Sequence, residues 1–287
     1  KFENAINVSG GELEVSSGAL DFVSGGTVSG LSLESATLVL SDDLTVVDNL
    51  TTSGTDPNLQ LNGTLDLTGT GVQMQLGTGL VLDNVSTSTN TGLILTADAT
   101  LTRGSPFTLG SINLQNNALS LGSAEGDLTV TGSVTFDNTS SQIISGGADL
   151  SLQSAVSLAD GKLSSTAGIL AFEQGAALGN SAVLDFTGSK IELSGLLDIS
   201  GGTLTSSGTS NLELQTDSSL SSSDNFTIPS LDLNGQTLSL SSASTHLVIS
   251  SPFTAGDNES VDTKAGSLTF NGTATLENEA AIESSSG

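Results

Sequence analysis

The chain has 287 residues, 36% of them hydrophobic, which is enough apolar material for a core and excludes a disordered tail. Acids outnumber bases 31 to 5, the net charge is −26, and Trp and Tyr are absent, so the clustered cations and stacking platforms of nucleic-acid binding are missing and an anionic bilayer would repel the chain. The lack of Cys excludes a disulfide scaffold, a thiolate zinc site and a Cys nucleophile, and no apolar run approaches the ~18 residues of a membrane span.

The chain opens at Lys1 without Met or a signal-peptide core, which reads as a processed or excerpted segment. From there, apolar residues alternate with polar ones in short bursts. Glu12-Leu13-Glu14-Val15, Leu31-Ser32-Leu33, Leu59-Gln60-Leu61 and Leu65-Asp66-Leu67 come first. Leu119-Ser120-Leu121, Ile191-Glu192-Leu193, Leu197-Asp198-Ile199, Leu212-Glu213-Leu214 and Leu268-Thr269-Phe270 follow. Period two predicts strands with one buried face. Gly, Ser, Asn and Asp separate the bursts and suit tight corners. Gly10-Gly11 and Gly25-Gly26 read as turns rather than phosphate loops, because no helix pattern follows them. The one helix candidate is Ala167–Ala177, interrupted by Gly168 and Gly175.

Three segments repeat imperfectly, near 27–52, 107–136 and 226–254. Thr27-Val28-Ser29-Gly30-Leu31-Ser32-Leu33 aligns with Thr108-Leu109-Gly110-Ser111-Ile112-Asn113-Leu114 and with Thr227-Ile228-Pro229-Ser230-Leu231-Asp232-Leu233. A second burst follows each: Leu38-Val39-Leu40, Leu119-Ser120-Leu121 and Leu238-Ser239-Leu240. Immunoglobulin-like sandwiches would need longer strands and a bulkier core. The prediction is therefore all-β: a single-stranded parallel β-helix, right-handed, with about 12 coils of roughly 20–25 residues, forming one continuous solenoid domain over 1–287. Leu31, Leu33, Leu38, Leu40, Ile112, Leu114, Leu119, Leu121, Leu231, Leu233, Leu238 and Leu240 are expected to point inward.

The bursts with Gly, Ser, Asn and Thr corners resemble the β-helix stalks of bacterial autotransporter passengers and filamentous-haemagglutinin-type adhesins. Gly126-Asp127-Leu128-Thr129-Val130-Thr131-Gly132 and Gly63-Thr64-Leu65-Asp66-Leu67-Thr68-Gly69 are similar to their coils. The resemblance implies a cell-surface or secreted setting and a role in adhesion or scaffolding. The C-terminal β-barrel segment and capping helix of such proteins have no counterpart in the pattern.

Candidate chemistry is sparse. His246 is the only imidazole, which excludes a multi-His metal site, and its place in a turn reads as a solvated corner. Five scattered cations are too few to line a lyase groove for acidic sugars, and glycosidase subsites would lack their Trp or Tyr platforms. Calcium is the one metal the composition suits, with Asp42, Asp43, Glu125 and Asp127 as candidate oxygen ligands in turns; the plainer reading is solvated turn acids, since no EF-hand loop or glycine-rich nonapeptide repeat is present. Asn-x-Ser/Thr sequons at Asn7, Asn49, Asn62, Asn84, Asn138, Asn225, Asn258 and Asn271 would matter only in a glycosylating pathway.

The expected function is thus a non-catalytic extracellular rod or filament segment of a bacterial surface fibre, sheath, stalk or adhesin. Its expected partners are copies of itself stacked end to end, or neighbouring solenoid segments. A host- or glycan-binding module is the second reading and a polysaccharide-degrading β-helix the third. Nucleic acid and membrane insertion are not expected.

Overall fold

The computed structural model describes residues 1–287 except 55–57, 63, 78–79, 123–125, 180, 265 and 286–287. Among the described residues there are 38 β-strands and no helix. The chain divides into two compact units, residues 1–135 with 141–144, and residues 136–140 with 145–287. Each is a parallel β-solenoid, and together they supply about 13 turns, close to the number expected from coils of roughly 20–25 residues.

In the first unit one wall stacks Ile6–Val15, Gly26–Glu34, Leu44–Ser53, Gln73–Leu76, Gly92–Leu95, Ser111–Asn113 and Val134–Thr135. All these pairs are parallel, and their register aligns one inward column: Leu13, Leu31, Leu50, Met74, Leu93, Ile112 and Val134. A second wall stacks Gly18–Phe22, Ala36–Leu40 and Asn58–Leu61, with Leu20, Leu38 and Leu59 in line. The first three strands of the first wall, Ile6–Val15, Gly26–Glu34 and Leu44–Ser53, are longer than three-residue bursts because each runs on through a shift of register in the ladder. Gly10 and Gly11, read from the sequence as a turn, lie inside Ile6–Val15, where the ladder shifts register between Val8 and Glu12. Their φ angles of 86° and 89° are the left-handed values that only glycine adopts cheaply at such a bulge.

In the second unit the walls stack at each coil. Leu150–Leu152, Ile169–Phe172, Lys190–Leu193, Asn211–Leu214 and Ser230–Asp232 form one. Its inward rows are Leu150, Leu170, Ile191, Leu212 and Leu231, and alongside them Leu152, Phe172, Leu193 and Leu214. A second wall runs from Val156–Leu158 through Ala176–Leu178 and Leu196–Asp198 to Ala281–Glu283. A third begins with Lys162–Ser164, Val183–Asp185 and Thr203–Thr205 and ends there; Asn225–Ile228, His246–Ile249 and Ser267–Phe270 form a separate sheet.

All twelve residues expected inside are buried. Each buried Leu or Ile contributes roughly 1.5–3 kcal/mol from apolar area alone. The helix candidate at 167–177 is instead two strands, Ile169–Phe172 and Ala176–Leu178, with Gly175 at the corner between them. Stacking on the coils before and after overrides the weak helical spacing.

Candidate functional site

Six outward slots between inward aliphatics carry the acids Asp21, Asp66, Glu192, Asp198, Glu213 and Asp232, and stacking decides which of them meet. Glu192, Glu213 and Asp232 occupy one register position on successive coils. Asp21, Asp66 and Asp198 do not join such a row: Asp21 faces Val39, Asp66 faces Thr45 and Ser86, and Asp198 faces Ala177 and Ser221. Lys190 sits beside the acid row. Its ammonium lies 2.6 Å from Glu192 Oε1 and 3.0 Å from Glu213 Oε2, so one cation bridges two coils. The hydrogen bond to Glu192, with that to Glu213, raises the Lys190 pKa against the opposing effect of desolvation.

The row leaves more negative charge than Lys190 neutralises, and the whole chain carries −26. Screening shortens to ~3 Å at 1 M salt, from ~10 Å at 0.1 M. Raising sodium chloride from about 0.05 to 1 M is therefore expected to raise Tm. Differential scanning calorimetry checks this, and an unchanged Tm would show that acid–acid repulsion is not felt in the folded state.

Most acids in the corners serve the backbone. Asp66 Oδ1 accepts the Thr68 N–H and hydroxyl at 2.9 and 2.7 Å. Asp185 does the same with Thr187, and Asp198 with Ser200. This is an Asx turn closing the strand end, and its signal in the sequence is an Asp followed two positions later by Thr or Ser. A second set reaches the following coil. Asp43, Asp98, Asp149 and Asp217 accept the N–H of Thr64, Ala118, Ile169 and Thr237 at 2.7–2.8 Å. Nothing in the period-two pattern signals these, because the partner is about twenty residues away.

Burial pushes the Asp185 carboxyl up, but the bonds from Lys162, 2.9 Å away, and from Thr187 outweigh it and leave the pKa lowered. At Asp198 burial likewise acts upward and the Ser200 and Ser221 hydroxyls and the Ser200 N–H prevail. A depressed carboxylate pKa stabilises the fold above its unfolded value of ~3.9 and loses that contribution as pH falls through the folded pKa. Lys190 behaves oppositely: its contribution is full below ~10.4 and is lost as pH rises through its raised value. Tm is thus expected to fall below about pH 4, and Asp185→Asn to make that fall shallower in a pH series followed by circular dichroism.

Of the calcium candidates, Asp42, Asp43 and Asp127 lie among the described residues and are not grouped there as metal ligands. Asp42 Oδ1 accepts the Asp43 N–H at 2.9 Å, and Asp43 Oδ1 is spent on Thr64. The Asp127 carbonyl accepts the Phe107 N–H at 2.9 Å. Glu125 lies outside the described residues. Among the described residues no group of three or more His, Asp or Glu is placed to hold a metal ion. His246 is half-buried on its wall, with Nδ1 at the Ser267 hydroxyl and Nε2 3.4 Å from Thr269 Oγ1, both on the next coil.

Buried hydroxyls complete the picture. Thr91, Ser189 and Ser210 are almost fully enclosed, and donate to the Leu67, Ser165 and Phe186 carbonyls at 2.8, 3.0 and 2.6 Å. Each carbonyl belongs to the coil before, so the corner carbonyls that no strand reaches are satisfied from inside. No protein-family model, characterised protein or solved structure matches the chain.

Proposed function

We propose that the chain is a non-catalytic, extracellular structural segment of a bacterial surface fibre, sheath, stalk or adhesin. The observation that carries this reading is coil-to-coil cohesion. Apolar columns, backbone ladders, Asp clamps and buried hydroxyls all join one coil to the next, across separations of 19 to 25 residues. Such a chain resists extension by many bonds loaded side by side, as a stalk or fibre requires. Its partners are further solenoid coils, in neighbouring segments or in copies stacked end to end, whose open sheet edges continue the ladder.

Two measurements test the proposal. Gold-labelled antibody against the purified chain is expected to decorate the surface of intact cells, and label confined to the interior would overturn the extracellular role. Pulling the full chain from its two ends is expected to release it coil by coil. At ~3.5 Å per extended residue, each coil of 19 to 25 residues lengthens the chain by roughly 65–90 Å. Collapse in one low-force event would remove the mechanical function.

A further inference from the structure

The interrupted wall of the second unit contains an open strand site. Thr203–Thr205 pairs back onto Val183–Asp185, with Leu204 opposite Leu184. On the following coil, Asn225–Ile228 pairs onto His246–Ile249 and belongs to a different sheet. No ladder joins Thr203–Thr205 to Asn225–Ile228 among the described residues. The other change of sheet in this unit, from Ser230–Asp232 to Phe253–Ala255, is bridged by backbone just before each strand, where the Ser251 N–H donates to the Pro229 carbonyl at 2.9 Å. Here the bridge is a side chain: the Ser206 hydroxyl donates to the Thr227 carbonyl at 2.7 Å.

Alternation along a parallel strand shows which groups are left over. The Thr203 N–H donates back to Ala182 at 2.9 Å, and the Thr205 carbonyl accepts from Phe186 at 3.0 Å. The N–H and C=O of Leu204 therefore face the gap. Across it, the Ile228 carbonyl accepts from Ser250 at 3.0 Å, so Asn225 and Thr227 turn their backbone groups toward the gap as well. Between the strands lies a cleft of about 350 Å³. Ile199, Leu204 and Phe226 give it an apolar floor, and Thr203, Ser222 and Asp224 line it with polar groups. Thr203 and Asp224 are exposed, whereas Phe226 is only 7% exposed.

We infer that this cleft takes an extended segment of a different polypeptide, inserted as a strand and carrying a basic residue beside an apolar one. The main chain of the segment satisfies the groups of Leu204 on one side and, on the other, those of Asn225 and the N–H of Thr227, whose carbonyl already accepts the Ser206 hydroxyl. Its apolar side chain covers the floor, and its cation meets Asp224. The carboxylate of Asp224 at the rim decides for a segment that brings a cation, which the strands of this chain rarely carry, with 5 bases against 31 acids. The inference stands independently of where the protein resides or what load it bears.

The test titrates the full chain into a fluorescent acetyl-TKVTVK-amide peptide and follows anisotropy. Saturable binding is expected. N-methylation of alternate peptide nitrogens, which deletes the ladder donors, is expected to weaken it at least tenfold. Asp224→Lys is expected to weaken it at least fivefold without changing Tm, while Asp21→Lys leaves it unchanged. Absence of saturable binding overturns the inference. So does equal affinity for the N-methylated peptide, or an equal effect of the two charge reversals, either of which marks non-specific attraction to an acidic surface. Sedimentation showing self-association that Leu204→Pro abolishes would also overturn it, by giving the cleft to a second copy.

Discussion

Leu193→Ala is expected to cost about 2–5 kcal/mol, whereas Leu196→Ala, three residues on, should cost no more than about 0.5 kcal/mol. Leu193 is fully buried between Phe172 on one coil and Leu214 on the next, both buried as well. Removing its isobutyl group leaves a void that neither neighbour can fill, because the ladder fixes the spacing of the coils at ~4.8 Å. Leu196 is 44% exposed on the adjoining strand and leaves no such void. A solenoid is held by nearest-neighbour terms, so the loss should concentrate in the adjoining coils. Hydrogen exchange in chemical denaturant separates the cases: protection in 169–172 and 211–214 should drop selectively for Leu193→Ala. Equal losses in the two variants would mean that the inward columns do not set stability.

The same columns explain what the sequence reveals and what it hides. Period two at Leu31-Ser32-Leu33 or Leu238-Ser239-Leu240 states directly which face is buried, because the strand itself imposes the alternation. Where the strands go next depends on corners, and corners are written in residues of several meanings. Asp198 looks like a solvated charge, yet closes a turn with Ser200. Ser210 looks like a surface residue, yet is fully buried on the Phe186 carbonyl, 24 residues back. The Asp-x-Ser/Thr spacing could have identified the first; the second depends on stacking register, which no local pattern contains. The acid row is an intermediate case. Glu192, Glu213 and Asp232 are each legible as outward acids, but their coincidence on three coils follows only once the coil lengths are known. The open cleft at Leu204 was invisible for the same reason, since Thr203-Leu204-Thr205 reads like any other strand.

Gly175→Ala should destabilise the second unit by more than about 3 kcal/mol, among the largest effects a single methyl group can have. Two costs combine. Gly175 has φ of +82°, a conformation that charges an L-residue about 1–2 kcal/mol. A Cβ there would also lie 2.2 Å from the Leu196 carbonyl oxygen and 3.0 Å from the Leu196 nitrogen, on the following coil. Both are backbone atoms within the stack, so the clash cannot be relieved by a rotamer change; the coil itself must move, and the Gly175 carbonyl that accepts the Val156 N–H at 3.2 Å moves with it. Gly208 isolates the first cost: its φ is +67°, but nothing lies within 4 Å of its Cβ position. Gly208→Ala should therefore lose only about 1–2 kcal/mol. Urea denaturation of the two variants side by side gives the difference. If they unfold at the same concentration, the close approach of Gly175 to the next coil carries no energy, and the corner requires glycine for its dihedral alone.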